Sequence, residues 1–146
     1  MLEDAAPRLH KAAHFARKAT GRPDTIVVSG ELIALFPDED VRVDAVAFEA
    51  AASEALAEGS AEQASSVADL YSGDLLPEDL YESWTEDVRE RLRLRQLDLL
   101  RLARRWEDLL ELDPTDEEAH LGRIEELVAQ GDRRGALRQY ERMERA

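Results

Sequence analysis

A chain of 146 residues, without cysteine and with 19 basic against 33 acidic residues, is long enough for one domain and a small appendage. It can bury a core without staples, and its composition excludes disulfides and thiolate metal sites. The net charge of −14 would repel polyphosphate if it were evenly spread. It is not: the first 36 residues hold five basic and four acidic side chains, the remainder 14 and 29. All five of the early cations fall between Ala5 and Pro23, a stretch with no acid at all. Segments of such different charge are expected to do different work. No apolar run reaches the roughly 20 residues of a membrane helix, and no charged head with an apolar core marks a signal peptide. The expected compartment is therefore the cytoplasm, with no membrane partner.

In chain order, Ala5 to Thr20 reads as a helix, with Pro7 tolerated in its first turn and Gly21 at its stop. Leu9, Ala12, Ala13, Ala16 and Ala19 form one apolar stripe at helical spacing. Arg8, Lys11, His14, Arg17 and Lys18 fall largely on the rest of the surface. Thr25 to Val28 and Leu32 to Phe36, joined by Ser29-Gly30-Glu31, read as a β-hairpin. Pro37-Asp38-Glu39-Asp40 marks a boundary, dividing the chain into residues 1–40 and 41–146.

Beyond Val43 the pattern is helical throughout. Ala45 to Glu58 stops at Gly59, and Ala61 to Tyr71 stops near Gly73. A long helix is expected from Ser83 to Arg104, burying Val88, Leu92, Leu99 and Ala103, with Leu97 and Leu100 widening the face. Trp106 to Leu112 is halted by Asp113-Pro114. Thr115 and Glu118 have the spacing of a capping box that opens a helix to Gln130. Arg133 to about Arg145 closes the chain. Helix pairs with short turns invite a search for repeats. Ala136, Tyr140 and Met143 have the spacing of a TPR second helix, and Ala64, Ala68 and Tyr71 match it more loosely. The expected fold class is mainly α: TPR-like stacked helical pairs behind an N-terminal helix and hairpin. Tyr71, Tyr81, Trp84, Trp106 and Tyr140 are expected to pack between the stacked helices.

Five ordered blocks carry a resemblance. They are Val43-Asp44-Ala45-Val46-Ala47-Phe48-Glu49; Leu70-Tyr71-Ser72-Gly73-Asp74-Leu75-Leu76-Pro77 with Trp84; Glu90 to Leu94; Leu112 to His120; and Gly131 to Arg142. Together they resemble the bacterial transcriptional activator domain that follows the winged helix in SARP-type regulators. The stretch between Leu100 and Leu112 is shorter than in many of those proteins and looks more like the variant in large ATPase-type regulators. Residues 1–40 resemble the recognition helix and wing of an OmpR-like winged helix. The two earlier helices of that fold have no counterpart in the about five residues before the basic helix, so the chain is expected to be a fragment of a regulator. The resemblance implies dimer formation and contact with the transcription machinery.

In that frame Arg8, Lys11, His14, Arg17 and Lys18 are candidate DNA-binding residues, because neutralising phosphates needs Lys and Arg on one helix face. The plain alternative is a solvated face. His10 and His14 have a spacing that can chelate zinc, but Lys11 stands where a zinc hydrolase needs glutamate, so no metal is expected. No phosphate loop, nucleophile elbow or catalytic triad is visible. The expected protein is not an enzyme, takes no cofactor and has no evident small-molecule substrate. The arginines from Arg89 to Arg95 and the acidic stretch Glu107 to Glu126 either pair within the molecule or dock a partner subunit or RNA polymerase. The rival expectation is a stand-alone TPR-like interaction module that does not bind DNA.

Overall fold

A computed structural model describes residues 5–30, 32–79 and 81–146. The fold is mainly α, with an N-terminal helix and a two-stranded antiparallel hairpin. The chain divides into two compact units, Met1–Val43 and Asp44–Ala146.

The first unit contains helix α1 (Ala5–Thr20), strand β1 (Ile26–Ser29) and strand β2 (Leu32–Leu35). Gly21 ends α1 at φ +70°, a conformation that costs a residue without Cβ nothing. Ile26 pairs with Leu35 and Ser29 with Leu32, so two residues make the turn. Gly30, at φ +61°, is the first of them; Glu31, the other, lies outside the described residues. Phe36 adopts φ +44°, and its N–H closes the hairpin on the Thr25 carbonyl at 3.1 Å. α1 packs on β1, and its inward face departs from the expected stripe. Ala13 is buried and Leu9, Ala16 and Arg17 are half-buried, whereas Ala12 and Ala19 are exposed. With 100° between successive residues, Leu9, Ala13, Ala16 and Arg17 span one arc of about 100°, and Ala12 and Ala19 fall outside it. Alanine on a helix is as much a propensity choice as a packing one, so the sequence pattern overstated the stripe.

The second unit contains α2 (Asp44–Glu58), α3 (Ala61–Ala68), a 3₁₀ turn (Pro77–Asp79), α4 (Ser83–Leu102), α5 (Trp106–Leu112), α6 (Glu117–Ala129) and α7 (Arg133–Met143). Packing is quasi-linear. α2 and α3 pack on each other and on α4, then α4 packs on α5, α5 on α6, and α6 on α7. α7 has a substantial neighbour only in α6. Phe48, Ala52 and Ala55 of α2 and Ala64, Val67 and Ala68 of α3 meet Leu92, Leu97, Leu99 and Leu100 of α4 in one core. Four of these six residues from α2 and α3 are alanines, so both helices approach α4 closely. Leu99, Leu100 and Leu109 are the largest fully buried apolar side chains, and truncating any of them to alanine should cost about 2–5 kcal/mol.

Two expectations about this unit need correction. The N-cap of α6 is Asp116, whose carboxylate accepts from the Ala119 N–H at 2.8 Å. Thr115 does not cap it. Its N–H and hydroxyl both donate to the Asp113 carboxylate, at 3.0 and 2.8 Å, because an aspartate two residues upstream captures it in a local turn. The aromatic residues also divide. Trp106 is buried and Tyr71 packs against the core, its ring 5.4 Å from that of Phe48. Tyr81, Trp84 and Tyr140, by contrast, are 98%, 67% and 47% exposed. No described helix is long and apolar enough to cross a membrane.

Candidate nucleic-acid interface

The five candidate residues on α1 do not behave alike. Arg8, Lys11, His14 and Lys18 are exposed, and none of the three full cations meets a carboxylate among the described residues. Around the helix they occupy an arc of about 120° centred opposite the hairpin-facing side. Phe15, 55% exposed, lies within the same arc, and its ring meets His14 edge-on at 5.7 Å. Sequence reading left Phe15 out; its phase on the helix, shared with Arg8, Lys11 and Lys18, was the signal that could have found it.

Arg17 points the other way. Its Nε and Nη2 both donate to the Ile26 carbonyl oxygen, at 2.8 and 2.5 Å. The side chain therefore fixes the angle between helix and hairpin. One turn on, the hydroxyls of Thr20 and Thr25 share a hydrogen bond of 2.5 Å, with Thr25 buried. Arg22 braces the base of the hairpin. It pairs with Asp24 at 2.5 Å and with Glu39, and its guanidinium sits 5.3 Å from the centre of the Phe36 ring. The Arg22 hydrogen bond holds the Asp24 carboxyl below its ordinary range. The result is a helix presented on a rigid hairpin, with four polar or charged groups and one aromatic ring turned outward. Such a face can neutralise phosphates and stack against a base or sugar. His10 is exposed like His14, and no group of three or more His, Asp or Glu is placed to hold a metal among the described residues.

The hairpin is also apolar on its outside. Leu32, Ile33 and Leu35 of β2 are exposed, and only Ala13 and Thr25 are buried among the described residues of this unit.

In the helical unit the arginine run is largely used internally. Arg89 donates to the Leu75 carbonyl at 3.1 Å and to the Thr85 hydroxyl at 3.0 Å, Arg91 pairs with Glu49 at 2.6 Å, and Arg93 donates to the Leu112 carbonyl at 3.1 Å. Several acids between Glu107 and Glu126 are matched as well. Arg101 holds Asp116 at 2.6 Å and Glu118 at 3.0 Å, Arg105 holds Asp108 at 2.5 Å, and Arg123 holds Glu107 and Glu126. A cleft of about 450 Å³ opens beside α2, with Phe48, Leu70, Tyr71, Leu75, Leu76 and Leu92 among its lining and Asp44 and Asp74 as its acids. The Tyr71 hydroxyl donates to Asp74 at 3.3 Å, and burial, seconded by that carboxylate, holds the phenol above its ordinary pKa. Comparison with family models, with curated proteins and with solved structures finds no match for this chain.

Proposed function

We propose that the chain is a module of a bacterial transcriptional regulator. Residues 41–146 act as a TPR-like activator and assembly domain, and α1 with its hairpin contributes to DNA contact in the parent protein. The observation that carries this reading is the division of α1 into two faces. Arg17 is tied into the hairpin, while Arg8, Lys11, His14 and Lys18 stand outward around Phe15, in a chain that is otherwise strongly acidic. A cationic face that survives in an acidic protein is the electrostatic footprint of a polyanion site. The resemblance of five ordered blocks to the activator domain of SARP-type and ATPase-type regulators supports the same reading. The module is non-enzymatic, works in the cytoplasm, takes no cofactor, has a protein partner (self-association or RNA polymerase), and meets DNA within the full-length or parent protein.

The alternative, a stand-alone TPR-like interaction module without DNA binding, draws on the linear packing of α2 to α7. Fluorescence anisotropy on a labelled DNA duplex, from 50 to 200 mM salt, separates the two. The regulator reading expects binding that weakens steeply with salt. It also expects Arg8→Ala/Lys11→Ala/Lys18→Ala to flatten the slope of log affinity against log salt by about 3, near 0.9 per phosphate contact. Equal retention of duplex by the triple variant, or none by the parent chain at 50 mM salt, favours the interaction module.

A further inference from the structure

Of the chain's three histidines, two lie on α1 and the third, His120, is buried in the second unit. His10 and His14 stand four residues apart, so their side chains emerge about 40° apart around the helix, one turn apart along it. Both are exposed, and neither makes a hydrogen bond or ion pair among the described residues. His14 belongs to the outward arc, about 40° from Lys18 and about 60° from Lys11. His10 extends that arc on the same flank.

The charged groups around these imidazoles are of one sign. No carboxylate occurs between Ala5 and Pro23. The strand packed against α1 is β1, and its residues Ile26 to Ser29 include nothing that titrates. Arg17 is committed to the Ile26 carbonyl, and the acids at the base of the hairpin, Asp24 and Glu39, are held by Arg22. Histidine is the side chain that acquires its charge between about pH 5 and 8, where Lys and Arg stay charged and ordinary carboxylates are ionised. At the alkaline end of that window the outward face holds the charges of Arg8, Lys11 and Lys18 alone. At the acid end two imidazolium charges join them.

We infer that His10 and His14 make the DNA contact of α1 proton-linked, so that binding tightens as pH falls through the histidine range. This linkage rests on the regulator reading above, since it regulates the face assigned there to DNA. A phosphate opposite an imidazole favours its protonated form, so the complex holds protons that the free chain releases. Affinity therefore gains fully at the acid end of the window and loses that gain as pH rises through it. His14, inside the arc, carries the larger share, and His10, at its edge, the smaller. Two added charges count for much here, because three cations alone must hold a polyanion against a net charge of −14. His120, whose ring nitrogens are both hydrogen-bonded in the second unit, serves as the internal control.

Anisotropy of the full chain on a labelled duplex at pH 5.5 and 8.0, with salt varied from 50 to 200 mM and a chelator present, tests this. Each imidazolium that meets a phosphate should steepen the slope of log affinity against log salt by about 0.9. At 100 mM salt the parent should bind about fivefold more tightly, or better, at pH 5.5 than at pH 8.0. His10→Gln/His14→Gln keeps every carboxylate and so isolates the imidazoles; its ratio between the two pH values should fall below about twofold. His14→Lys should bind more tightly than the parent at pH 8.0 and lose most of the response to pH. Circular dichroism at both pH values establishes that each variant stays helical. In NMR titrations, duplex should move the His14 imidazole midpoint to higher pH and leave His120 in place. A parent whose affinity ignores pH, a double variant with the parent's ratio, or a His14 midpoint that duplex does not move would overturn the inference and leave the regulator reading standing. A parent that binds no duplex at either pH would overturn both.

Discussion

The indole of Trp106 occupies the space beside Gly122 so fully that a Cβ at position 122 would clash with its Cε2 atom. This is the joint between α5 and α6, and it requires glycine for room; the backbone angle is ordinary. Gly122→Ala should therefore overpack the joint and destabilise the protein by about 1–3 kcal/mol. A lowered urea midpoint, followed by the emission of the buried indole, would show it. An unchanged midpoint would mean that the indole lies elsewhere.

Asp116 performs two tasks with its two oxygens. One accepts from the Ala119 N–H at 2.8 Å, and the other receives Arg101 at 2.6 Å. Asp116→Ala should cost about 0.5–2 kcal/mol from the lost cap. Asp116→Asn should retain most of that cap while weakening the Arg101 contact. Thermal unfolding of the two variants, with Thr115→Ala as a control of smaller effect, ranks these roles. Thr115→Ala as damaging as Asp116→Ala would restore the capping-box reading.

Buried between α6 and α7, His120 accepts at Nδ1 from the Gln139 side-chain amide at 2.7 Å and donates from Nε2 to the Pro114 carbonyl at 2.9 Å. Both side chains are buried. Gln139→Leu keeps the volume but leaves Nδ1 without a donor, at about 1–3 kcal/mol. Because α7 packs substantially on α6 alone, amide hydrogen exchange should quicken in α7 well before α2 to α4 are affected. Uniform loosening of all six helices would contradict the linear packing.

Asp113 and Asp24 set a direction for acid sensitivity. Hydrogen bonds from the Thr115 hydroxyl and N–H, in that order, hold Asp113 below its ordinary pKa, and Arg22 does the same for Asp24. A carboxyl depressed in the folded state contributes stability above its unfolded pKa of about 3.9 and loses that contribution as pH falls through the folded value. Urea midpoints should therefore fall from pH 5 to pH 3. Thr115→Val and Arg22→Met should each shrink that fall, and an unchanged drop in both would place the acid sensitivity elsewhere.

Much of this architecture is legible in the sequence. Six helices of the second unit follow from apolar periodicity with Gly59, Pro114 and Gly131 as stops, and the hairpin follows from Gly30 between two short apolar runs. Periodicity does not say whether a face is covered, since coverage belongs to the neighbour. Trp106 and Trp84 both open helices, yet only Trp106 meets a residue small enough, Gly122, to admit it. Tyr140 lies outward because α7 turns Gly135, Ala136 and Gln139 to α6, its one substantial neighbour among the described residues. On α1, the four cations and His14 look equivalent in the sequence, but Arg17 is committed to the Ile26 carbonyl, a bond made across nine residues that no local pattern announces. The same holds for Arg89 and Arg93, which satisfy carbonyls in distant loops.

The two tryptophans give a direct optical check of the corrected aromatic assignment. Acrylamide should quench Trp84 strongly and Trp106 weakly, so Trp84→Phe should remove the quenchable, red-shifted part of the emission. Equal quenching of both would return Trp84 to the interior.

Residue-resolved NMR during addition of a DNA duplex at low salt decides where this protein meets nucleic acid. Amide shifts should move first at Arg8, Lys11, His14, Phe15 and Lys18, leave α2 to α6 unchanged, and reverse when salt is restored. Shifts centred on the arginines of α7, or no shift anywhere while the helices remain folded, would contradict the assignment of α1 as the DNA-facing helix.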